Sequence, residues 1–376
     1  MRKFNSFLVI NPFGIGDVVF STPLLKNLKK AYPEADIFFL ANRRAYPLIE
    51  NHPFIKKVFV YERDEFEKAK KQSKLMWLKK FFAFIAEIRK EKIEVCIDLS
   101  INPQFGFFAY LAGIKKRVGL DYKKRCIFLT DKLEIEGFEN KHVVEYYLDT
   151  LKLLKIPVEK TSLEIYPTQE SKNWAKYFLE SNGLEKELII GMIPFGGESW
   201  GKDAKRRWWP KENYALLADL LIKEFRAKIF IFVGPREKEY GKQLFRLIKE
   251  KDSCFMFDEI DLKNLVSLLD YCDLIIGNDG GPLKIANALG KKNISIFGPV
   301  DEKVYGPYPP DSSCVKVIKK DIACRPCYKR FRLSPCNNKY ACLLQIKVEE
   351  VFSEIKKLLR VVKDCGYLKE ISGEGM

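Results

Sequence analysis

The chain has 376 residues, 47% of them apolar, which is too long for one ordinary core and enough to bury two, so two domains of roughly 150 to 200 residues are expected. A net charge of +16 points either to an anionic partner (nucleic acid, a phosphorylated ligand, an acidic membrane surface) or to a lysine-rich solvated exterior. No apolar run approaches the ~20 residues of a membrane span, and Pro12 and Gly14 interrupt the apolar start before a signal peptide's core is complete; a cytoplasmic protein is expected.

Ser6 to Asn11 reads as a first strand, and Pro12-Phe13-Gly14-Ile15-Gly16-Asp17 as the turn after it. The following helix, from about Val18 to Tyr32, keeps Val19, Leu24, Leu25 and Leu28 near one face. Ile37 to Leu40 and Val58 to Tyr61 are further strands, so the two element types alternate as in a doubly wound sheet. Gly-x-Gly occurs in many turns and is weak alone; the interest of this one is its position. A carboxylate after a Gly turn, at the carboxyl end of the first strand, points into the crevice where an open sheet binds ligands, and there Asp17 can take a proton from an attacking hydroxyl. The competing reading is that Asp17 stabilises the N-terminus of its own helix.

Asp64 to Lys92 mixes basic residues with Leu75, Met76, Trp77, Phe81, Phe82, Phe84 and Ile85 at helical spacing. Such a helix can lie on an anionic bilayer. The preferred reading is a sheet-covering helix with a basic outer face, because Val95 to Leu99 reads as the strand it crosses over to. Phe105 to Leu111 and the basic clusters Lys115-Lys116-Arg117 and Lys123-Lys124-Arg125 continue the same domain, the clusters meeting phosphate or only water. Glu145 to Leu154 is a helix, and Pro157 to Pro167 an extended connection. The domain boundary is placed near Tyr166 to Ser171, giving domains over residues 1–168 and 169–376.

The second half restarts the pattern: strand Leu188 to Ile193, loop Pro194 to Pro210, helix Glu212 to Phe225, strand Lys228 to Val233, helix Glu237 to Glu250, strand Phe255 to Phe257 and helix Leu262 to Leu269. Asp273 to Gly277 is then a strand buried on both faces, Asn278-Asp279-Gly280-Gly281 a tight turn, and Pro282 the start of a helix carrying Leu283, Ile285, Ala286 and Leu289. Asn293 to Phe297 is the next strand, and Val348 to Val361 a closing amphipathic helix. A Gly-rich turn opening a helix at the carboxyl end of a sheet is a place where anions bind, and Asp279 and Lys284 add one charge of each sign.

Gly16-Asp17-Val18-Val19 with Thr22-Pro23-Leu24 and Tyr32-Pro33-Glu34-Ala35, then Asn278-Asp279-Gly280-Gly281-Pro282-Leu283 with Ala286, Ala288-Leu289-Gly290 and Phe297-Gly298-Pro299, resemble glycosyltransferase family 9, the ADP-heptose:lipopolysaccharide heptosyltransferases. The resemblance spans nearly the whole chain. It implies the GT-B fold, an α/β architecture of two Rossmann-like doubly wound domains facing a cleft, and an inverting transfer of heptose from ADP-heptose to a lipopolysaccharide core or lipid-linked acceptor, with no metal and no cofactor. It also implies the acceptor in the first domain and the donor in the second; from the residues themselves, no nucleic acid is expected, and peripheral contact with an anionic inner membrane is a second reading of the Asp64 to Lys92 helix. Rival readings are another nucleotide sugar, or a basic nucleic-acid-binding protein, against which stand the dispersed basic residues and the lack of a recognised nucleic-acid motif.

Residue by residue, the resemblance makes Asp17 the general base and Asp279, Gly280 and Gly281 the diphosphate turn, with Pro282 at its helix start. The cation two places before Trp209-Pro210 is Arg207, with Lys205 close by; Glu237 falls near the nucleoside and Ile260 against adenine. Lys284 stands where the family commonly has His, keeping a cation beside the diphosphate without a titrating imidazole. Of ten cysteines, Cys96, Cys126, Cys254, Cys272, Cys314 and Cys365 read as packing. Cys324, Cys327, Cys336 and Cys342 could bind zinc, but disulfides or free thiols are the preferred reading.

Overall fold

The computed structural model describes residues 3–196 and 201–360; residues 197–200 of the long loop, Val361 and Cys365 lie outside them. The chain divides into one unit of Met1–Pro167 with Lys329–Leu333, and a second of Thr168–Tyr328 with Ser334–Met376. Lys329–Leu333 is thus grouped apart from the residues on either side of it.

In the first unit the elements run β1 (Ser6–Ile10), α1 (Ile15–Phe20), α2 (Thr22–Ala31), β2 (Asp36–Ala41), α3 (Tyr46–Ile49), β3 (Ile55–Val60), α4 (Arg63–Gln72), α5 (Lys74–Lys90), β4 (Val95–Asp98), α6 (Pro103–Leu111), β5 (Lys116–Tyr122), β6 (Asp131–Ile135) and α7 (Val143–Lys152). The sheet is parallel, in the order β3-β2-β1-β4-β5-β6. Phe7, Leu8, Val9 and Ile10 are all fully buried, as an uninterrupted apolar strand must be when helices cover both faces of its sheet.

The expected helix over Asp64 to Lys92 is two helices. Ser73, extended at φ −164° and ψ 137°, ends α4, and its side chain accepts the Leu75 N–H at 3.2 Å to start α5. Phe81, Phe84, Ile85 and Ile88 of α5 are buried among Tyr61, Phe105 and Phe108, so the helix does cover the sheet. At about 1.5 to 3 kcal/mol for each buried side chain, that face supplies most of what holds the helix in place.

Strand β5 was not anticipated, because it opens on the basic cluster. Lys116 pairs with Asp131 at 2.7 Å, and the Arg117 guanidinium donates to the carbonyls of Phe128 and Ile114. These two cations are thus engaged with their own domain rather than held out for phosphate. Gly119 explains the close strand approach, since a Cβ there would lie 2.3 Å from the Asp98 carbonyl.

The second unit runs α8 (Gln169–Ser181), β7 (Ile189–Ile193), a 3-10 segment Gly201–Arg207, α9 (Lys211–Phe225), β8 (Lys228–Phe232), α10 (Lys238–Leu247), β9 (Cys254–Phe257), α11 (Leu262–Tyr271), β10 (Leu274–Asn278), α12 (Gly281–Ala288), β11 (Lys292–Ile296), α13 (Glu302–Tyr305), β12 (Val315–Ile318), α14 (Ala341–Leu344) and α15 (Val348–Arg360), while of the two short strands between β12 and α14, β13 (Tyr328–Lys329) leads into the 329–333 segment and β14 (Arg332–Leu333) lies within it. Its parallel sheet is ordered β12-β11-β10-β7-β8-β9. In each unit the first strand is central, and the chain winds outward first to one side and then to the other. The order reverses between β1 and β4 in one sheet and between β7 and β10 in the other, and ligands bind beyond the carboxyl ends of strands at such switch points.

Candidate functional site

At the switch point of the second unit, β10 ends in Asn278, which is fully buried. Its Oδ1 accepts the Trp209 N–H at 3.1 Å and its Nδ2 donates to the Pro194 carbonyl. The Trp209 indole, also fully buried, donates to the Ile346 carbonyl at 2.9 Å. These bonds pin the segment carrying Arg207 to the end of the sheet. Gly280 caps α12, and Gly196, at φ +76°, crosses directly over it: a Cβ on Gly280 would lie 2.1 Å from the Gly196 carbonyl oxygen. Only glycine permits that approach of the two loops. Pro282 takes the second position of α12, after Gly281, where its missing N–H costs no helical hydrogen bond.

Three charged side chains converge below this turn. Lys284 Nζ lies 2.9 Å from Asp279 Oδ1, and Arg207 Nη1 lies 3.7 Å from Asp279 Oδ2; all three residues are only 5–6% exposed. Lys284 also sits 5.1 Å from the centre of the Phe297 ring. It is therefore not one more solvated surface lysine. Burial lowers the Arg207 pKa below its usual value, while Asp279 and Glu237 oppose the shift; the guanidinium stays charged at any ordinary pH. Two cations share one carboxylate at the start of a helix, so the arrangement is poised for an anion that brings further negative charge.

Of the other expected donor residues, Glu237 is near enough for its charge to act on Arg207. Lys205 is exposed, its ammonium 4.4 Å from the Tyr240 ring centre. Glu237 is buried, but its Oε2 accepts the Gly234 N–H at 3.0 Å, closing the turn after β8. Ile260 is half-buried in the loop after β9.

In the first unit, Asp17 is half-exposed on the first turn of α1, beyond the carboxyl end of β1. The loop is held by Asn11, whose Nδ2 donates to the Asp17 carbonyl at 2.9 Å, and by Asn42, whose Nδ2 donates to the carbonyls of Pro12 and Phe13 at 3.0 and 2.5 Å. Burial pushes the Tyr147 hydroxyl far above its ordinary pKa, and the negative charge of Asp17 adds to the shift. A helix-end role and a base role are both open to a carboxylate so placed. The sequence reading missed Tyr147, Asn11 and Asn42, and also Asp98, the last residue of β4, paired in register with Ile10. Burial raises Asp98 to about 6, against hydrogen bonds from Ser100. The available signal was a carboxylate ending an apolar strand.

Cys324, Cys327, Cys336 and Cys342 line a single cavity with Asn338 and Tyr340, and all four are free thiols. Among the described residues no group of three His, Cys, Asp or Glu side chains is arranged to hold a metal ion. Cys96, Cys126 and Cys272 are buried packing residues; Cys314, expected to be another, is disulfide-bonded.

Two six-stranded parallel sheets in the same strand order, each with helices on both faces, define a GT-B-like α/β architecture. A glycosyltransferase family 9 structure from Veillonella parvula superposes with a TM-score of 0.78 at 21% identity, covering 96% of this chain and 98% of that one. Escherichia coli heptosyltransferase WaaC with ADP superposes at 0.71 and 18% identity, covering 94% and 99%. The model of glycosyltransferase family 9 (heptosyltransferase) matches residues 81–336, and the chain belongs to that family. Among its relatives, lipooligosaccharide heptosyltransferase 2 of Haemophilus influenzae is 25% identical over 329 residues, spanning 84% of this chain and 90% of that protein.

Proposed function

We propose that the protein transfers heptose from ADP-heptose to a lipopolysaccharide core acceptor, by an inverting displacement that needs no metal. Family membership gives the reaction class, and the observation that carries the assignment of the site is the Arg207–Asp279–Lys284 cluster beneath the Gly280-Gly281 turn. The donor's diphosphate occupies that turn, where the helix N-terminus and the two cations oppose the charge that grows on the departing ADP. Asp279 keeps the cations fixed. The acceptor belongs to the first unit, and Asp17 takes its hydroxyl proton as the new glycosidic bond forms. Such an acceptor is lipid-linked, so the proposal includes a cytoplasmic protein working in peripheral contact with the inner membrane.

Isothermal titration of the purified protein against ADP, UDP, GDP and single-stranded DNA tests the reading. Selective ADP binding supports it. Tight, salt-sensitive DNA binding without nucleotide binding would favour a basic nucleic-acid-binding protein. Preference for UDP or GDP would favour a glycosyltransferase using another donor.

A further inference from the structure

Helix α5 buries one face and leaves another apolar. Leu75 is 76% exposed, Phe82 59% and Met76 51%. Leu75, Lys79, Phe82 and Ala86 follow one another at spacings of four, three and four residues, so they form one continuous stripe on the side away from Phe81, Phe84, Ile85 and Ile88. Exposed Leu and Phe side chains scattered singly need no explanation, but three large ones gathered on two turns of one helix do.

Lysines predominate among the charges near the stripe. Lys70 and Lys71 end α4, Lys74 begins α5 and Lys79 lies within the stripe, all four exposed. Of the acidic residues of the two helices, Asp64 is on the first turn of α4, Glu67 is at mid-helix one turn before Lys70 and Lys71, Glu65 is paired with Arg43 and Lys80, and Glu87 is paired with Lys57 at 3.1 Å near the far end of α5. The junction at Ser73 thus sets three exposed apolar side chains among four exposed lysines that neighbour them along the chain. Lysine stems lie along apolar surface while their heads stay in the polar layer, which suits the boundary of a bilayer that carries negative headgroups. Among the described residues no helix is long and apolar enough to cross a membrane, so the contact is one of lying on the surface.

We propose that the α4–α5 junction docks the first unit on an anionic lipid surface, with Leu75, Met76 and Phe82 entering the headgroup boundary and Lys70, Lys71, Lys74 and Lys79 meeting the phosphates. This deepens the proposed function and rests on its lipid-linked acceptor: docking brings the acceptor-binding unit to the layer where the acceptor lies.

The test is co-sedimentation of the full chain with unilamellar vesicles containing phosphatidylglycerol, beside vesicles of phosphatidylcholine alone, at low and high salt. Binding is expected only to the anionic vesicles and is expected to weaken with salt. Replacing the four lysines by Gln lowers the partition coefficient about 100-fold or more, each charge near the surface contributing about a factor of five. Leu75→Ser with Met76→Ser and Phe82→Ser lowers it roughly 10-fold or more, with little change in melting temperature because these side chains are exposed. ADP titration of the same variants separates the two ideas: unchanged ADP affinity with lost vesicle binding supports docking, whereas a protein that binds vesicles but no ADP sinks the heptosyltransferase reading alone. Equal binding to both vesicle types, no binding at low salt, or binding indifferent to both sets of substitutions would overturn the proposal. So would a dimer in sedimentation velocity that the Ser variant dissociates, since the patch would then cover a second copy of the chain.

Discussion

Lys284→Met removes one of the two cations that hold Asp279. The lost contact is the 2.9 Å ammonium–carboxylate bond between side chains 6% and 8% exposed, and the Arg207 guanidinium at 3.7 Å remains. Stripping one partner from a buried pair costs ~3 to 5 kcal/mol; with Arg207 still present the low end applies, about 3 kcal/mol. For a unit of this size 1 kcal/mol moves the melting temperature by about 2 to 4 °C, so a fall of about 6 to 12 °C is expected in differential scanning calorimetry. The same change removes one positive charge from beside the Gly280-Gly281 turn proposed to hold the diphosphate, and is expected to weaken ADP binding by ~1 to 3 kcal/mol, or about 5- to 150-fold. Lys284→Arg preserves the charge and loses less of both. Adding Asp279→Asn to Lys284→Met takes the carboxylate from the buried Arg207 as well, so stability falls further and ADP affinity is not restored. If Lys284→Met melted within about 1 °C of the parent and bound ADP as tightly at low ionic strength, the cluster would have neither role.

Asp17→Asn keeps the shape of the side chain and its place on the first turn of α1, so folding and ADP affinity stay near those of the parent while turnover falls ~100-fold or more; a collapsed melting temperature with normal specific activity would make Asp17 a helix-end residue instead. Turnover is expected to persist in EDTA, and reversible loss restored by Mg²⁺ would contradict a metal-independent displacement. Two buried groups in the first unit titrate in opposite senses. Burial lowers His52 from 6.5 to about 4, so its contribution is present above pH 6.5 and is lost as the pH falls towards 4; burial raises Asp98 from 3.8 to about 6, so its contribution is present below pH 3.8 and is lost as the pH rises through 6. The shifts are similar, roughly 3 kcal/mol each, and nearly cancel in the parent. Denaturant titrations from pH 4 to 6.5 should show stability rising with pH in Asp98→Asn and falling in His52→Gln, and parallel profiles for all three proteins would show that neither group is buried as described.

The elements that the sequence alone determined are those whose cause is local. Phe7–Ile10 and Leu274–Ile276 are apolar without interruption and lie in central strands, and Gly280-Gly281-Pro282 sits where a glycine, a helix start and a strand end must meet. The alternation of such segments sufficed for a doubly wound reading. Ser73 carried a local signal too, since it is a good N-cap, but the apolar periodicity running on either side hid it. What only the tertiary structure decided concerns burial and pairing between residues distant in the chain. The Gly-rich turn marked Lys284 as a candidate, but that it is buried against Asp279 and the Phe297 ring is decided only once β10, α12 and β11 are packed. Arg207 joins them because Asn278 holds the Trp209 backbone. Strand β5 begins in lysine and arginine and is recognisable only through its partners Asp131 and the Phe128 carbonyl. A side chain's charge and size are written in the sequence, but the free energy of that charge depends on how much water and which counter-charge surround it, and the fold alone sets both.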